Sequence, residues 1–336
     1  MENIKKDEHL YTNLLKQYLQ SDDKNCLKSA EEMSKSFVAR KIFPEEIVRI
    51  HKNAVEKLYG GISDEHKYSL KFLHESLVAY RRAYERLEEI RIEQVELKSE
   101  IQVAANMQKT LLSTEVPEIE GLDIGSISVP YHQMNGDYYH FLKREDGAFA
   151  VAIADVIGKG VPAAMSMSMI KYAMDSFYEE AMSARTILRN LNRVVERNVA
   201  SHMFITMFYG QYFPESSVFR FASAGHEPGF LYRKKEGTFT EIEAKGLVLG
   251  VLKNSDYQQY ELTIEVGDMI VLLTDGVTEC RRGGRFISRE EVVEVIKQYN
   301  HLPAQKHVEQ VYKHFSQLED FNLKDDFTLI IIKKID

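Results

Sequence analysis

Along the first hundred residues, apolar positions recur with the period of a helix. In PEEIVRIHKNAVEKLYGG, Ile47, Ile50, Ala54 and Leu58 fall on one face, Pro44 and two glutamates suit a first turn, and Gly60 and Gly61 stop it. SDEHKYSLKFLHESLVAYRRAY carries a second stripe at Leu70, Leu73, Leu77 and Tyr80. With an opening helix around Leu10, Leu14 and Tyr18, these predict a small all-α bundle over residues 1–84.

Residues 85–118 have a different texture. ERLEEIRIEQVELKSEIQVAANMQKTLL contains neither Gly nor Pro, and Leu87, Ile90, Gln94, Leu97, Ile101, Ala104, Gln108 and Leu111 repeat with heptad spacing. The pattern predicts a long coiled-coil-like linker helix that pairs with another, the alternative being a helix that lies on its own domain. Pro117 and Gly121 end it.

After Gly121 the period shortens to that of strands. The runs LDIGSISV, AFAVAIADV, MFITMFYGQYF, SVFRFASAGH, GFLYR, FTEIEA, YELTIEV, DMIVLLTD and DFTLIIIKK predict strands, interrupted by helical stretches near 161–200 and 287–319. Strands cluster and helices come in blocks, so residues 119–336 predict an α+β layered sandwich rather than a doubly wound βαβ sheet.

Composition narrows the function classes. The 336-residue chain is 44% hydrophobic and 28% charged, enough for two domains, and its net charge of −8 argues against a sequence-independent grip on nucleic acid. Cys26 and Cys280 stand far apart with no CxxC spacing, which points to a reducing compartment. The charged N-terminus lacks an apolar h-region and no stretch approaches the roughly 18 apolar residues that span a bilayer, so a cytoplasmic protein with no membrane contact is expected. His9, His51, His66 and His74 form no metal-binding pattern.

The candidate chemistry lies in acidic residues at strand ends. Asp155 closes the apolar run of IADVIGKGVPAAM, where a phosphate loop, a metal ligand and an ordinary turn compete as readings. Asp275 likewise ends DMIVLLTDG, Asp137 follows Gly136 in NGDYYHF, and Asp325 and Asp326 precede the last strand. Singly, each is an ordinary turn residue. As a cluster they need a counter-charge, and an oxygen-only donor set points to Mg²⁺ or Mn²⁺. Two such ions roughly 4 Å apart, bridged by one carboxylate, would hold an activated water for attack on a phosphoryl group. The Walker pattern GxxxxGK[ST] is absent, which disfavours a nucleotide-dependent enzyme, and the glycines around Lys159 let the backbone approach a metal, with the Val156 carbonyl as a candidate ligand.

In order along the chain, NGDYYHF, ADVIGKGVPAAM, ASAGHEPGF, GLVLGV, LLTDGVTE and DDFTLIII resemble the motifs of the SpoIIE-type branch of the PPM (PP2C-like) metal-dependent serine/threonine phosphatases. The resemblance implies a β-sandwich flanked by helices with two Mn²⁺ or Mg²⁺ ions at one end. By it, Asp155 bridges both ions, Asp137 and the Val156 carbonyl complete one site, and Asp275 with Asp325 serves the other while Asp326 orients Asp325. Asn135 and His140 depart from the branch's usual GGDYYD, and Lys159 stands where relatives often have His. None of these removes a ligand, as a degenerate scaffold would require. The resemblance further implies a phosphoserine substrate on a small RsbV-like STAS-domain anti-anti-sigma factor, an RsbT-like kinase-fold activator bound by the N-terminal bundle, and a homodimer. The helix AAMSMSMIKYAMDS after Gly158 and Gly160 offers an adaptable methionine face, with Met165 and Met169 as candidates for transmitting activation.

Overall fold

The computed structural model describes residues 2–112, 114–131, 133–144, 147–157, 161–177, 182–199, 203–282, 285–318 and 323–336. The chain divides into two compact units, Met1–Lys98 and Ser99–Asp336.

The first unit is helical. Helices α1 (Glu2–Ser21), α2 (Lys24–Ala39) and α3 (Pro44–Tyr59) precede α4 (Asp64–Leu112), which runs for 49 residues into the second unit. Pro44 opens α3 and Gly60, at φ 75°, closes it as expected. The predicted second helix and linker are one continuous α4, because no Gly or Pro falls between residues 64 and 112. Helix α2, absent from the pattern reading, is capped by Asp23, whose side chain accepts from the Asn25 amide at 2.9 Å. The core is small: Met33, Phe37 and Ile50, with Tyr11, Leu14, Ile42 and Ile47 against them. Arg81 fastens α4 by donating to buried Glu45 and lying 4.5 Å over the Phe43 ring. The stripe read on α4 is only half covered, since Leu70 and Leu77 are half-buried while Leu73 and Tyr80 face solvent.

The second unit is the expected sandwich. Its strands are β1 (Leu122–Val129), β2 (Asp137–Lys143), β3 (Phe149–Val156), β4 (Ile205–Phe213), β5 (Val218–Ala224), β6 (Gly229–Arg233), β7 (Thr238–Ile242), β8 (Tyr260–Thr263), β9 (Met269–Leu273) and β12 (Phe327–Lys334), with a two-residue pair β10 (Arg281–Arg282) and β11 (Arg285–Phe286). One five-stranded sheet has the order β1-β12-β9-β6-β7 and the other β2-β3-β4-β5-β8, all neighbours antiparallel. Each predicted helical stretch resolves into two: α5 (Val161–Phe177) and α6 (Ala184–Asn198), then α8 (Arg289–Gln298) and α9 (Ala304–Ser316), with the short α7 (Asp275–Thr278) between the blocks.

Alternation along β3 shows how the layers form. Phe149, Val151 and Ile153 point between the sheets, where they meet Phe208, Phe219, Ile270 and Ile330. Ala150, Ala152 and Ala154 point outward against Met167, Ile170, Leu188 and Leu191 of α5 and α6. The other sheet turns Val271, Leu273, Leu329 and Ile331 onto Val292, Ile296, Val308 and Val311 of α8 and α9. Both central strands are therefore covered on both faces, which is why they read as continuous apolar runs.

His307 lies fully buried under α9, its Nε2 donating to the Ile296 carbonyl at 2.7 Å, while Nδ1 meets no hydrogen-bond partner among the described residues. Burial first and nearby Lys333 second hold its pKa down at about 4, against an ordinary 6.5. Between those values the unfolded chain binds a proton that the folded one refuses, so this contribution is intact above pH 6.5 and lost as pH falls, by about 3 kcal/mol. We expect unfolding midpoints measured from pH 7 to 4.5 to fall more steeply for wild type than for His307→Gln, which keeps an N–H donor and does not titrate.

Candidate active site

The strand register brings the acidic motifs to one end of the sandwich. Asp137 at the start of β2 stands opposite Asp155 near the end of β3, and β4 places Thr206 and Ile205 opposite Asp155 and Val156. In the other sheet β9 ends at Leu273, whose partner on β12 is Leu329; Thr274 and Asp275 therefore leave β9 beside the point where Asp325 and Asp326 enter β12. Gly276 permits this approach, because a Cβ there would lie 2.0 Å from the Asp326 carbonyl oxygen.

Asp137 is held by hydroxyls. Its Oδ2 accepts from Thr274 at 2.7 Å and from Thr328 at 2.6 Å, and the Thr274 oxygen in turn accepts the Thr328 amide at 3.1 Å. With its proton committed to Asp137, Thr328 Oγ1 accepts from Ser128 (2.9 Å), which accepts from the Asn135 side-chain amide (2.8 Å). Asn135 Oδ1 closes the circuit by accepting the Asp137 backbone N–H at 3.0 Å. Asparagine thus replaces glycine at this position with two side-chain bonds that fix the next ligand candidate. His140, the other departure, stacks on Tyr138 and faces Asp175 at 3.1 Å, away from the aspartates' own bonds.

Asp326 ties the two sheets together. Its Oδ1 accepts the Tyr131 amide at 2.6 Å, its Oδ2 the Gly136 amide, and its own N–H donates to Asp325 Oδ1 at 2.9 Å. The Gly136 carbonyl accepts the Val156 N–H at 3.1 Å, so Gly136 bonds to both Asp326 and the residue after Asp155.

The electrostatics show the five aspartates acting on one another. Burial first, then Asp275, Asp325, Asp326 and Glu279, push Asp155 up to about 7. Burial, then Glu279, Asp325 and Glu227, push Asp275 up to about 6. Asp137 rises well above the carboxylate range through burial, with the two threonine hydroxyls opposing and Asp155 and Asp326 adding to it; burial likewise raises Asp326. None of these shifts has a cationic side chain among its causes. A site that crowds carboxylates with no counter-charge on these aspartates among the described residues fits a hard divalent cation. Among the described residues no three His, Cys, Asp or Glu side chains converge into a set that could hold an ion.

Glu279 and Glu227 were not singled out in the sequence, although both stand in quoted motifs, TDGVTE and ASAGHEPGF. Nor were Thr274 and Thr328, since threonine in a strand carries no distinguishing signal. His226 of ASAGHEPGF is buried and held down at about 4 by burial, with Nδ1 3.0 Å from Thr206 Oγ1; it supports the strand beside Asp155 as a neutral imidazole. Gly158, Lys159 and Gly160 lie outside the described residues. The methionine face differs from the expected one: Met167 and Met174 are buried against β3, whereas Met165 is 69% exposed and Met169 only half-buried. The period of α5 turns Met165 outward, whereas Met169 packs on the core under α5 and α6.

Comparison with known proteins agrees with this geometry. Residues 145–334 match the family Stage II sporulation protein E (SpoIIE), and residues 9–83 match the N-terminal domain of phosphoserine phosphatase RsbU. The chain is 48% identical over 327 residues to the phosphoserine phosphatase RsbU of Bacillus subtilis (strain 168), covering 97% of each. It is 26% identical over 225 residues to Protein IcfG of Synechocystis, covering 59% of this chain and 35% of that protein. Among solved structures, the SiaA-PP2C domain of Pseudomonas aeruginosa superposes with TM-score 0.63 at 16% identity, over 73% of this chain and 99% of that one. The RsbU and RsbW domains of Rv1364c from Mycobacterium tuberculosis give 0.57 at 23%, over 66% and 63%.

The hydroxyl pair on Asp137 can be tested directly. Thr328→Val keeps the volume, removes one of two donors and breaks the chain from Asn135; calorimetric titration with Mn²⁺ should show affinity about tenfold weaker than wild type.

Proposed function

Because this chain belongs to the RsbU-type phosphoserine phosphatases of the SpoIIE family, we propose that its acidic centre binds two Mn²⁺ or Mg²⁺ ions and removes phosphate from a phosphoserine on an RsbV-like STAS-domain anti-anti-sigma factor. The observation that carries the reading is the placement of five aspartates at four strand ends on one end of the sandwich, with burial and neighbouring carboxylates raising Asp155 and Asp275. Bound there, the ions supply charge neutralisation and a water acidic enough to attack phosphorus at neutral pH.

The chain's own groups divide the remaining work. Asp155, buried and pressed by carboxylates at the ends of β9 and β12, would hold the ions from the opposite sheet. Asp137, presented by two hydroxyls on one oxygen, serves one ion with the Val156 carbonyl. Asp275, raised by burial and in part by Asp325 at the junction of β9 and β12, would serve the other together with Asp325. Asp326 spends its oxygens on the Tyr131 and Gly136 amides and acts by positioning Asp325 through its own N–H. Glu279 adds negative potential beside Asp275, while Glu227, which also raises Asp275, is paired with Arg289.

Regulation follows the two-unit layout. Residues 1–84 form the domain that binds an RsbT-like activator, residues 85–118 the linker, and residues 119–336 the phosphatase. The α4 seam supports a homodimer, because Leu87, Ile90 and Leu97 are 60%, 45% and 57% exposed in the single chain. The reaction would take place in the cytoplasm, freeing a stress sigma factor once the dephosphorylated STAS protein sequesters its inhibitor. Among the described residues no helix is long and apolar enough to cross a membrane.

The test is phosphate release from a phosphoserine STAS protein at saturating Mn²⁺, with and without the kinase-fold partner. We expect release that chelator abolishes, that the partner raises, and that falls at least about a hundredfold in Asp155→Asn. Release that persists in chelator, or in Asp155→Asn at the wild-type rate, would overturn the metal reading.

A further inference from the structure

The last turns of α4 end on a contact outside the reacting groups. Ala105 and Gln108 are each 6% exposed, and Ala105 packs with Ile101 and Ala104 against Met134 and Ala164. The Gln108 side-chain amide takes both polar atoms of one residue's backbone: Nε2 donates to the Asn135 carbonyl at 2.7 Å, and Oε1 accepts the Asn135 N–H at 3.0 Å. A glutamine amide so placed satisfies the backbone as a neighbouring strand would.

We propose that Gln108 is a positioning residue for the metal centre, acting through Asn135. This rests on the metal reading above and adds a residue that touches neither ion nor substrate. Three features carry it. Asn135 holds the Asp137 N–H directly and reaches the Asp137 carboxylate through Ser128 and Thr328. Its neighbour Gly136 holds Asp326 by its N–H and Val156 by its carbonyl. A cavity of about 540 Å³ opens beside the contact, lined by Gln108, Asn135 and Asp137 among others, so hydrogen bonds hold this stretch where packing is incomplete. One amide therefore sets the position of a loop on which two carboxylates and a candidate carbonyl ligand depend.

The physical consequence is specific. Removing the Gln108 amide leaves the part-buried N–H and C=O of Asn135 without that partner, and the loop shifts toward the cavity to hydrate them. Asp137, and Asp325 through Asp326, are then displaced from the positions in which they would hold the ions. Losses of this kind, one bond removed from the ligands, reach about ten- to a hundredfold in metal affinity.

The experiment uses the full chain and Mn²⁺ as the probe. Gln108→Met keeps length and bulk without the amide, and Gln108→Glu keeps the acceptor for the Asn135 N–H while losing the donor. Leu112→Ala trims the same helical end at a side chain that packs on the α5–α6 core without entering the hydrogen-bond chain. Calorimetric titration should give Mn²⁺ dissociation constants about tenfold higher for Gln108→Met and a smaller rise for Gln108→Glu. Leu112→Ala should lower the melting temperature at unchanged Mn²⁺ affinity, which separates positioning from bulk stability. Wild-type affinity in Gln108→Met overturns the inference while leaving the metal centre standing; if that variant does not fold, wild-type affinity in Gln108→Glu does the same. A wild-type chain that binds no Mn²⁺ overturns both readings.

Discussion

Mutual repulsion of carboxylates in a half-buried position is the constraint around which the second unit is built. Burial first, and the neighbouring carboxylates after it, push Asp155 up to about 7 and Asp275 up to about 6, so the charged forms are disfavoured together unless a cation offsets them. Left alone, the group would favour parting the two sheets at that end. What opposes parting is covalent continuity with strands that are buried on both faces: β3 in one sheet, β9 and β12 in the other. The cost of gathering the charges is therefore met by apolar burial elsewhere in the same strands, a common arrangement at sites that do chemistry.

Small residues make the gathering geometrically possible. Ala150, Ala152 and Ala154 let α5 and α6 settle close on β3, so the chain can leave Val156 and return as α5 over the same strand. Gly276 lets α7 begin against the carbonyl of Asp326. Thr274 and Thr328 have no carbon beyond Cγ2 and bring a hydroxyl each onto the same carboxylate oxygen. Valine at either place would pack equally well and present nothing to Asp137. The site thus depends on residues whose value lies in being short, or in carrying one oxygen where an isosteric residue carries a methyl.

Legibility in the sequence followed the physics. The central strands were plain because burial on both faces leaves unbroken apolar runs, and Asp155 and Asp275 were plain because each stood where such a run stopped, Asp325 and Asp326 because one began just after them. Strand β2 was read as a motif rather than a strand, since Tyr138, Tyr139 and His140 mix polar and apolar character within one run. Helix α2 was missed because its apolar positions are diluted by lysines and serines and only Cys26, Met33 and Phe37 are buried. The choice between Asp325 and Asp326 was carried by resemblance alone; Asp326 is distinguished only by two backbone amides from a segment some 190 residues earlier, which no local pattern encodes. The supporting hydroxyls were invisible for the same reason.

The linker shows how one periodicity can serve two different surfaces. Its heptad seam runs without a break from Leu87 to Leu111, yet the structure treats its two ends differently. At Leu87, Ile90 and Leu97 the seam is exposed in the single chain, and each such side chain gains roughly 1.5–3 kcal/mol on full burial, so a second helix is the natural way to cover it. From Ile101 onward the seam turns onto its own domain, and Gln108, which reads in sequence as a polar core position of a coiled coil, instead completes the backbone of Asn135. A polar residue in such a seam is costly when two copies face each other and favourable when it meets a peptide group. The glutamine therefore marks the point along α4 where helix pairing should give way to packing on the phosphatase domain.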